Sequence, residues 1–434
     1  MSWRVRAALA IALTAALAGA GYPLLGPATA RAQAMETSRP RDLVVGTPDG
    51  ARADRVDAAR SGLARTPLPM SHLHVEWRAP ARTAIEQAPL VDARGVTYVV
   101  GARGEVIAIA RSGAELWRAP TGGLDAGPAA LLSDDTLVFV DGAGEAVAVR
   151  EGIVRWRTRF GRPSADGYAS PAPLPLEDGG VVVATGREAA VLDVAGRERA
   201  RTGFLEPIAS PLVSALGRVV AVGRSGAVFT WVPGSPEPSR VGSFGSPITG
   251  SASLADAHTL VAVVAGGATF ASVDLIRGTL AARSVATGGG IWLGSPALRG
   301  ETATLAMLGA ATETAVTLDA SGRESARAVL ANHPALARLD GGAPQVDAPR
   351  ATAALLVDPS GTVVFVTLAG DAGAFGAPGR DTDAVEILSD VCPRPSGLSG
   401  GAAAAGLAPL GPGSFVVACR SGAVVGVGGD VAGR

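Results

Sequence analysis

The chain has 434 residues, with 38 basic and 39 acidic side chains and a formal net charge of −1. This balance gives no electrostatic basis for binding nucleic acid or an anionic membrane surface. Gly (58) and Pro (30) are abundant, whereas charged residues make up 18% and aromatic residues 4% of the chain. Frequent turns and small branched side chains favour an all-β protein of closely packed sheets over a helical one.

The N-terminus has the pattern of an export signal. Arg4 and Arg6 precede an Ala- and Leu-rich run over residues 7–20, and Ala32–Ala34 forms a small-residue cleavage site. We therefore predict a signal peptide over residues 1–34. Its removal takes away three arginines and no acid, which leaves the mature protein with a net charge of −4.

Cleavage after Ala20 or Ala30 is an alternative. The apolar run is shorter than the ~20 residues that a membrane span needs, so we expect no integral span after cleavage. The region has no Cys that could accept a lipid. These features predict a periplasmic or secreted protein.

Residues 35–70 show scattered charge, several Pro and Gly and little hydrophobic periodicity. Such composition is typical of a segment without its own packed core. We predict a disordered linker over residues 35–70 and a single repeat domain over residues 71–434.

The clearest repeat unit is Ala88–Pro120. Short β-branched runs at 88–91, 96–100, 105–110 and 114–118 are separated by Gly-containing turns. Runs of this kind predict a four-stranded antiparallel meander.

Copies of this unit recur along the chain. Six starts lie at Pro89, Pro128, Pro171, Pro211, Ser251 and Pro296, at intervals of 39, 43, 40, 40 and 45 residues. Two looser copies begin near Ala351 and Ala402. A period of about 40–45 residues with four strands predicts an eight-bladed β-propeller, with seven blades as the alternative.

Tryptophan residues give an independent register. Trp77, Trp117 and Trp156 are 40 and 39 residues apart at the fourth-strand position, where we expect them to pack the blades. Trp77 precedes the first full copy, and the eighth copy ends after its third strand. We therefore predict that His74–Pro80 supplies the outer strand of the last blade and closes the ring, which removes an exposed sheet edge.

The repeat resembles that of pyrroloquinoline-quinone (PQQ) dehydrogenases and their non-catalytic relatives. The motif is visible in Ala88-Pro89, Ala108–Gly113 with Trp117, Leu192–Gly196, Ala209–Pro211, Val273-Asp274 and Leu318–Gly322. Trp is replaced by Ala200, Ala282 and Ala326 in three copies. In plan, the chain is most similar to the non-catalytic propeller subunit of the outer-membrane β-barrel assembly machinery, although it lacks that subunit's lipid-accepting Cys.

The resemblance to the dehydrogenases implies a calcium ion held by Glu, Asn and Asp, a general-base Asp, a Trp floor under the quinone and adjacent cysteines. Cys392 and Cys419 are 27 positions apart, and Asn332 lies in an Asn-His-Pro loop. The only Trp residues after Trp156 are Trp231 and Trp292. We therefore predict no cofactor, no metal and no catalytic residues.

Cys392 and Cys419 are the only cysteines. An oxidising compartment would permit a disulfide between them, and two unlinked small residues near separate strands are the alternative.

Other motifs have simpler structural readings. Gly397–Gly401 matches G-x-S-x-G but lacks the flanking strand and helix of a nucleophile elbow. His72 and His74 form an incomplete metal set, and Asp381–Asp383 lacks the spaced oxygens of a calcium loop. Carboxylates at turns are expected to cap backbone N–H groups, namely Glu145, Asp193, Asp274 and Asp319.

We therefore expect a non-catalytic scaffold that binds envelope proteins through propeller loops, as a monomer or within a hetero-complex. The copies diverge most in three late insertions, Pro334–Arg350, Ala369–Asp390 and Cys392–Leu410. We expect them on one face, as the functional surface. A quinone-dependent oxidoreductase and a module that binds envelope polysaccharide are the alternatives.

Overall fold

The computed structural model describes residues 56–57, 60–123, 125–162, 170–264, 269–284, 291–309, 312–319, 322–332, 354–376, 385–393 and 404–431. These residues form 32 strands in eight four-stranded antiparallel sheets, and no helix occurs among them. In this part of the chain, no helix therefore has the length and apolarity of a membrane span. The all-β, eight-bladed propeller predicted from the repeats is confirmed, and seven blades are excluded.

Seven blades are consecutive meanders. Blade 1 comprises β2 (Leu90–Val91), β3 (Thr97–Val100), β4 (Val106–Ile109) and β5 (Glu115–Ala119). Blade 2 comprises β6 (Ala130–Leu131), β7 (Leu137–Val140), β8 (Glu145–Arg150) and β9 (Ile153–Arg159). Blade 3 comprises β10 (Leu174–Pro175), β11 (Val181–Thr185), β12 (Glu188–Leu192) and β13 (Glu198–Gly203). Blade 4 comprises β14 (Val213–Ala215), β15 (Arg218–Val222), β16 (Ala227–Trp231) and β17 (Ser239–Ser243).

Blade 5 comprises β18 (Ile248–Leu254), β19 (Thr259–Val264), β20 (Thr269–Asp274) and β21 (Leu280–Ser284). Blade 6 comprises β22 (Ile291–Arg299), β23 (Thr302–Leu308), β24 (Thr312–Leu318) and β25 (Glu324–Asn332). Blade 7 comprises β26 (Ala354–Val357), β27 (Val363–Val366), β28 (Ala372–Phe375) and β29 (Glu386–Leu388). Blade 8 combines β30 (Ala404–Gly411), β31 (Ser414–Cys419) and β32 (Ala423–Val431) with β1 (Pro69–Pro80).

The ring is closed by strand β1. This strand pairs antiparallel with β32, with Val75 opposite Val427 and Pro80 opposite Ala423. The predicted closure by an N-terminal strand is confirmed. The strand begins at Pro69, earlier than the predicted His74, so the two ends of the chain share a longer ladder.

Apolar side chains are packed between blades rather than around one centre. The described residues form eight buried clusters, each shared by two neighbouring blades. Small residues allow the sheets to approach closely, as in the β11 strand Val181–Thr185, which is buried throughout. Each blade therefore depends on both neighbours, which explains why closure of the ring matters for stability.

A β-bulge recurs near the start of several fourth strands. In blade 1, Glu115 faces Ile109 whereas Trp117 faces Ala108, so Leu116 is the extra residue. Positions i and i+3 of a regular strand point to opposite faces, but the bulge brings them to the same side. The Arg118 guanidinium therefore lies 2.8 Å from the Glu115 carboxylate. The equivalent pairs in blades 3 and 6 are Glu198–Arg201 and Glu324–Arg327.

Three of the four turn carboxylates have the capping role expected from the sequence, whereas the Glu145 carboxylate lies 3.1 Å from the Arg157 guanidinium and the Glu145 N–H donates to Asp141. The Asp193 carboxylate accepts hydrogen bonds from the backbone N–H groups of Ala195 and Arg197, both at 2.9 Å. The bond from the Arg197 backbone contributes most to lowering the pKa of Asp193. Asp274 and Asp319 accept backbone bonds in the corresponding turns of blades 5 and 6. These acids are part of the blade architecture.

The antiparallel order defines two faces of the ring. The first face carries the turns between strands one and two and between strands three and four of each blade. The second face carries the turns between strands two and three and the connections between blades. Two of the three predicted insertions contain strands: Ala369–Asp390 includes β28 and β29, and Cys392–Leu410 includes most of β30. Pro334–Arg350 and residues 377–384 and 394–403 lie outside the described residues.

Candidate functional site

The first strands of neighbouring blades lie next to one another and line the centre of the ring. A segment that precedes the first blade lies against them. We call residues 56–57 and 60–68 the thread. Arg60, Ala64 and Leu68 of this segment are completely buried, and Ser61 is 7% exposed.

The thread is a departure from the predicted disordered linker. The structure gives residues 60–70 a defined course, with residues 69–70 already in β1. The physical reason is that the thread makes specific backbone bonds to the ring, so it needs no core of its own. Residues 35–55 lie outside the described part of the chain.

Hydrogen bonds connect the thread to six blades. The Ser253 hydroxyl donates to the Arg60 carbonyl at 2.7 Å, and the Leu298 N–H donates to the Ser61 carbonyl at 2.8 Å. Val357 exchanges backbone bonds with Gly62 and Ala64, at 3.0 and 2.8 Å. These bonds satisfy polar groups of inner strands that face the centre of the ring.

The Arg60 side chain extends the contacts of the thread to two further blades. Its Nε donates to the Leu212 carbonyl at 3.0 Å, and its NH2 group donates to the carbonyls of Pro173 at 2.9 Å and Ala172 at 3.4 Å. The planar guanidinium presents its donors in a fixed fork, which suits convergent carbonyl oxygens. A single side chain thus joins blades 3 and 4 to the thread.

The described residues do not fit the PQQ and calcium site that the resemblance to dehydrogenases implies. The thread, with a cationic side chain, lies against the inner strands. Asn332 ends β25, an outer strand, and Trp231 and Trp292 are buried between blades. Within the described ranges, no group of three or more His, Cys, Asp or Glu side chains is placed to hold a metal ion.

The three tryptophans predicted to pack the blades each lie against a turn of the next blade. A Cβ atom added to Gly113 would lie 2.8 Å from the Trp77 Cβ, and one added to Gly152 would lie 3.4 Å from the Trp117 Cβ. Trp156 lies over Gly196. The glycine therefore provides the space that each indole occupies.

Blade 3 carries Ala200 at this position, and its joint with blade 4 is filled differently. Trp231 of β16 is completely buried there, next to the half-buried Ala200. Its indole N–H donates to the Ser235 carbonyl at 3.0 Å. At this joint, the third strand of the second blade of the pair supplies the aromatic side chain, whereas the fourth strand of the first blade supplies it at the joints filled by Trp77, Trp117 and Trp156.

Cys392 and Cys419 lie where blade 7 leads into blade 8. The structure joins their sulfur atoms at 2.05 Å, and both residues are completely buried. The Arg78 guanidinium of β1 donates to the carbonyls of Asp390 and Val391, next to Cys392. The cysteine pair and the closing strand therefore support the same joint.

We predict that this disulfide forms when the protein folds under oxidising conditions, because the two residues are held side by side in a buried joint. Denaturation without reductant, followed by alkylation and mass measurement, is expected to give no labelled cysteine. Reduction before alkylation should add two labels. Two labels without reductant would contradict the disulfide.

The remaining motif residues form no site among the described residues. The His72 Nδ1 lies 2.8 Å from the Asp430 carboxylate, and the His74 Nδ1 lies 3.0 Å from the His72 carbonyl. Gly397–Gly401 and Asp381–Asp383 lie outside the described residues.

Arg60 is the central residue that the sequence analysis missed. It occurs in the tripeptide Arg60-Ser61-Gly62, which also occurs at Arg111–Gly113, Arg224–Gly226 and Arg420–Gly422. The latter three belong to the repeats, whereas Arg60 precedes them. No local pattern therefore indicated its burial.

Comparison with known proteins agrees with this architecture. A family model described as outer membrane protein assembly factor BamB matches residues 102–295. No curated protein matches the chain.

Three similar solved structures share the fold at low sequence identity. BamB from Moraxella catarrhalis has a TM-score of 0.53 and 16% identity, covering 82% of this chain and 98% of that chain. Quinohemoprotein alcohol dehydrogenase from Comamonas testosteroni has a TM-score of 0.59 and 12% identity, covering 88% and 81%. The computationally designed Ika8 protein has a TM-score of 0.58 and 14% identity, covering 83% and 99%.

The structural neighbours thus include an enzyme and a designed protein, and at these identities they show the fold alone. The family match concerns residues 102–295 only. The predicted resemblance is thereby confirmed: this chain is an eight-bladed propeller, and its residues 102–295 are similar to the family described as outer membrane protein assembly factor BamB.

Proposed function

We propose that this protein is an exported, non-catalytic β-propeller that binds other proteins of the bacterial cell envelope and takes part in outer-membrane protein assembly. The observation that carries the proposal is the match of residues 102–295 to the family described as outer membrane protein assembly factor BamB. The thread supports it, because it lies where a central ligand would bind and leaves the loops on the two faces as the accessible surfaces.

Exposed aliphatic side chains give each face a position for a crosslinking test. Leu205 follows β13 on the second face and is 76% exposed, and Ile276 lies in a turn on the first face and is 69% exposed. A photoreactive amino acid at either position replaces a side chain that packs little in the ring, so folding should be preserved. Ile153, which is 57% exposed at the start of an outer strand, provides a third position.

The experiment is crosslinking in intact cells, followed by mass spectrometry of the adducts. We expect one face to give a discrete adduct with a component of the outer-membrane assembly machinery. Deleting the gene should also lower the amounts of outer-membrane β-barrel proteins. Equal labelling at all three positions, together with unchanged barrel proteins after deletion, would contradict the proposal.

A cofactor titration tests the absence of quinone chemistry. Adding PQQ and Ca²⁺ to the purified protein is expected to leave its absorbance spectrum as the sum of the separate components. Stoichiometric uptake would support an oxidoreductase instead. Retention on envelope polysaccharide at moderate salt would support the polysaccharide-binding alternative.

The export and localisation of the protein belong to the same proposal. We infer that the signal over residues 1–34 is removed and that the propeller resides in the periplasm, where cysteines can oxidise. The mass of the mature N-terminus distinguishes cleavage after Ala34 from cleavage after Ala30 or Ala20.

A further inference from the structure

One continuous segment reaches both the inside and the outside of the ring. The thread lies against inner strands, and the chain then passes directly into β1, the outer strand of blade 8. We call residues 60–80 the strap. Because the outer strand follows the buried thread without an intervening loop, the inside and the outside of the ring are joined by a very short length of chain.

The connection between the two parts of the strap is fixed. The Pro67 carbonyl accepts a hydrogen bond from the Gly413 N–H at 2.9 Å, and the Leu68 N–H donates to the Asp358 carboxylate at 2.9 Å. The Leu68 side chain is completely buried. Pro67 and Pro69 flank it, and each proline ring restricts φ to a narrow range. A displacement of the thread should therefore be transmitted to β1.

The outer part of the strap holds two blades together. The Glu386 carboxylate of blade 7 accepts hydrogen bonds from the backbone N–H groups of His72 and Leu73, at 2.8 and 2.6 Å. Arg78 donates to the carbonyls of Asp390 and Val391. Strand β1 thus contacts blade 7 in addition to its ladder with β32.

We propose that the strap is a single conformational lock, in which Arg60 is the inner latch and β1 is the outer closure. We call the carbonyl groups of Ala172, Pro173 and Leu212 the cradle. In the engaged state of the lock, the Arg60 side chain donates to the cradle and β1 is paired with β32. In the released state, both contacts are lost together. Access to the centre of the ring is therefore coupled to opening of blade 8.

The test is hydrogen–deuterium exchange of the full chain, read by mass spectrometry. Arg60→Ala removes the inner latch. Arg65→Ala is the matched control, since it removes the same kind of side chain from the same segment at an exposed position. Peptides from the thread, β1, β32 and the reference outer strand β9 are compared.

Coupling predicts that Arg60→Ala speeds exchange in the thread, in β1 and in β32 at least about tenfold more than in β9. Arg65→Ala should match the wild type in all four regions. Faster exchange confined to the thread and the cradle around Pro173 and Leu212 would overturn the proposal, as would a variant with unchanged exchange.

A second measurement uses the wild-type protein, so it does not depend on the folding of a variant. Exchange is followed at increasing denaturant below the unfolding transition. If the strap is one cooperative unit, amides of the thread and of β1 should open with the same free energy and the same denaturant dependence. Separate opening of the thread at a distinctly lower free energy would overturn the single-lock proposal.

Discussion

Deleting Val75–Pro80 is expected to destabilise the entire ring, with a loss of roughly 5 kcal/mol or more in the free energy of unfolding. The deletion removes the part of β1 that faces residues 423–427 of β32, where backbone hydrogen bonds contribute about 1 kcal/mol each. It also removes the half-buried Trp77 and the buried Ala79 from the joint between blades 8 and 1. Both losses affect the blade that links the two ends of the ring.

Thermal unfolding followed by circular dichroism measures the effect, and size-exclusion chromatography detects association through the exposed edge of β32. Trp77→Ala is the graded comparison, because it removes the indole but leaves the backbone ladder. We expect Trp77→Ala to melt between the full-length protein and the deletion variant. A deletion variant that melts like the full-length protein would show that β1 does not close the ring.

Features that repeat could be predicted from the sequence, because each copy of the repeat is an independent sample of the same constraint. Short branched strands and turn glycines recur often enough to define four-stranded blades despite degenerate copies. The Trp77, Trp117 and Trp156 spacing fixed the register of the fourth strand and, through Trp77, indicated the closing strand. The glycines that these tryptophans contact lie in the next blade, and they recur with the same repeat period.

The thread could not be predicted, since its order depends on contacts that are remote in sequence. Arg60 bonds to residues 112, 113, 152 and 193 positions away. Such partners become neighbours only after the ring has closed. The local composition around Arg60 resembles a linker, because backbone bonds to the ring replace the hydrophobic pattern of a self-sufficient element.

The extent of two late insertions was predicted wrongly, because the strands in this part of the chain have atypical sequences. The predicted insertion Ala369–Asp390 contains β28 and β29, and Cys392–Leu410 contains most of β30. These strands are short or rich in Ala and Gly, so they lack the β-branched runs that mark the other copies.

Replacing Arg60 with Ala is expected to lower the free energy of unfolding by roughly 3–5 kcal/mol, because three buried carbonyl groups each lose a hydrogen-bond donor. The side chain is completely buried, and its loss leaves the carbonyls of Ala172, Pro173 and Leu212 without these donors. Each buried polar group without a partner costs about 1–3 kcal/mol. Thermal melting and denaturant titration measure the loss.

Two variants separate the effect of the planar geometry of the Arg60 guanidinium from the effect of its charge. Arg60→Lys keeps the positive charge but lacks the planar fork, so it should recover only part of the lost stability. Arg65→Ala, at an exposed position of the same segment, should melt within experimental error of the wild type. If Lys restores full stability, charge alone accounts for the effect and the fork is unnecessary.

Chemical rescue tests the cradle directly. Guanidinium chloride at a few millimolar is far below denaturing concentrations and supplies the fork that Arg60→Ala lacks. We expect it to raise the melting temperature of this variant, whereas sodium chloride at the same ionic strength should not. The wild type should show no gain, because its cradle already holds the Arg60 side chain. Equal responses of variant and wild type would mean that the cradle has no preference for a free guanidinium group.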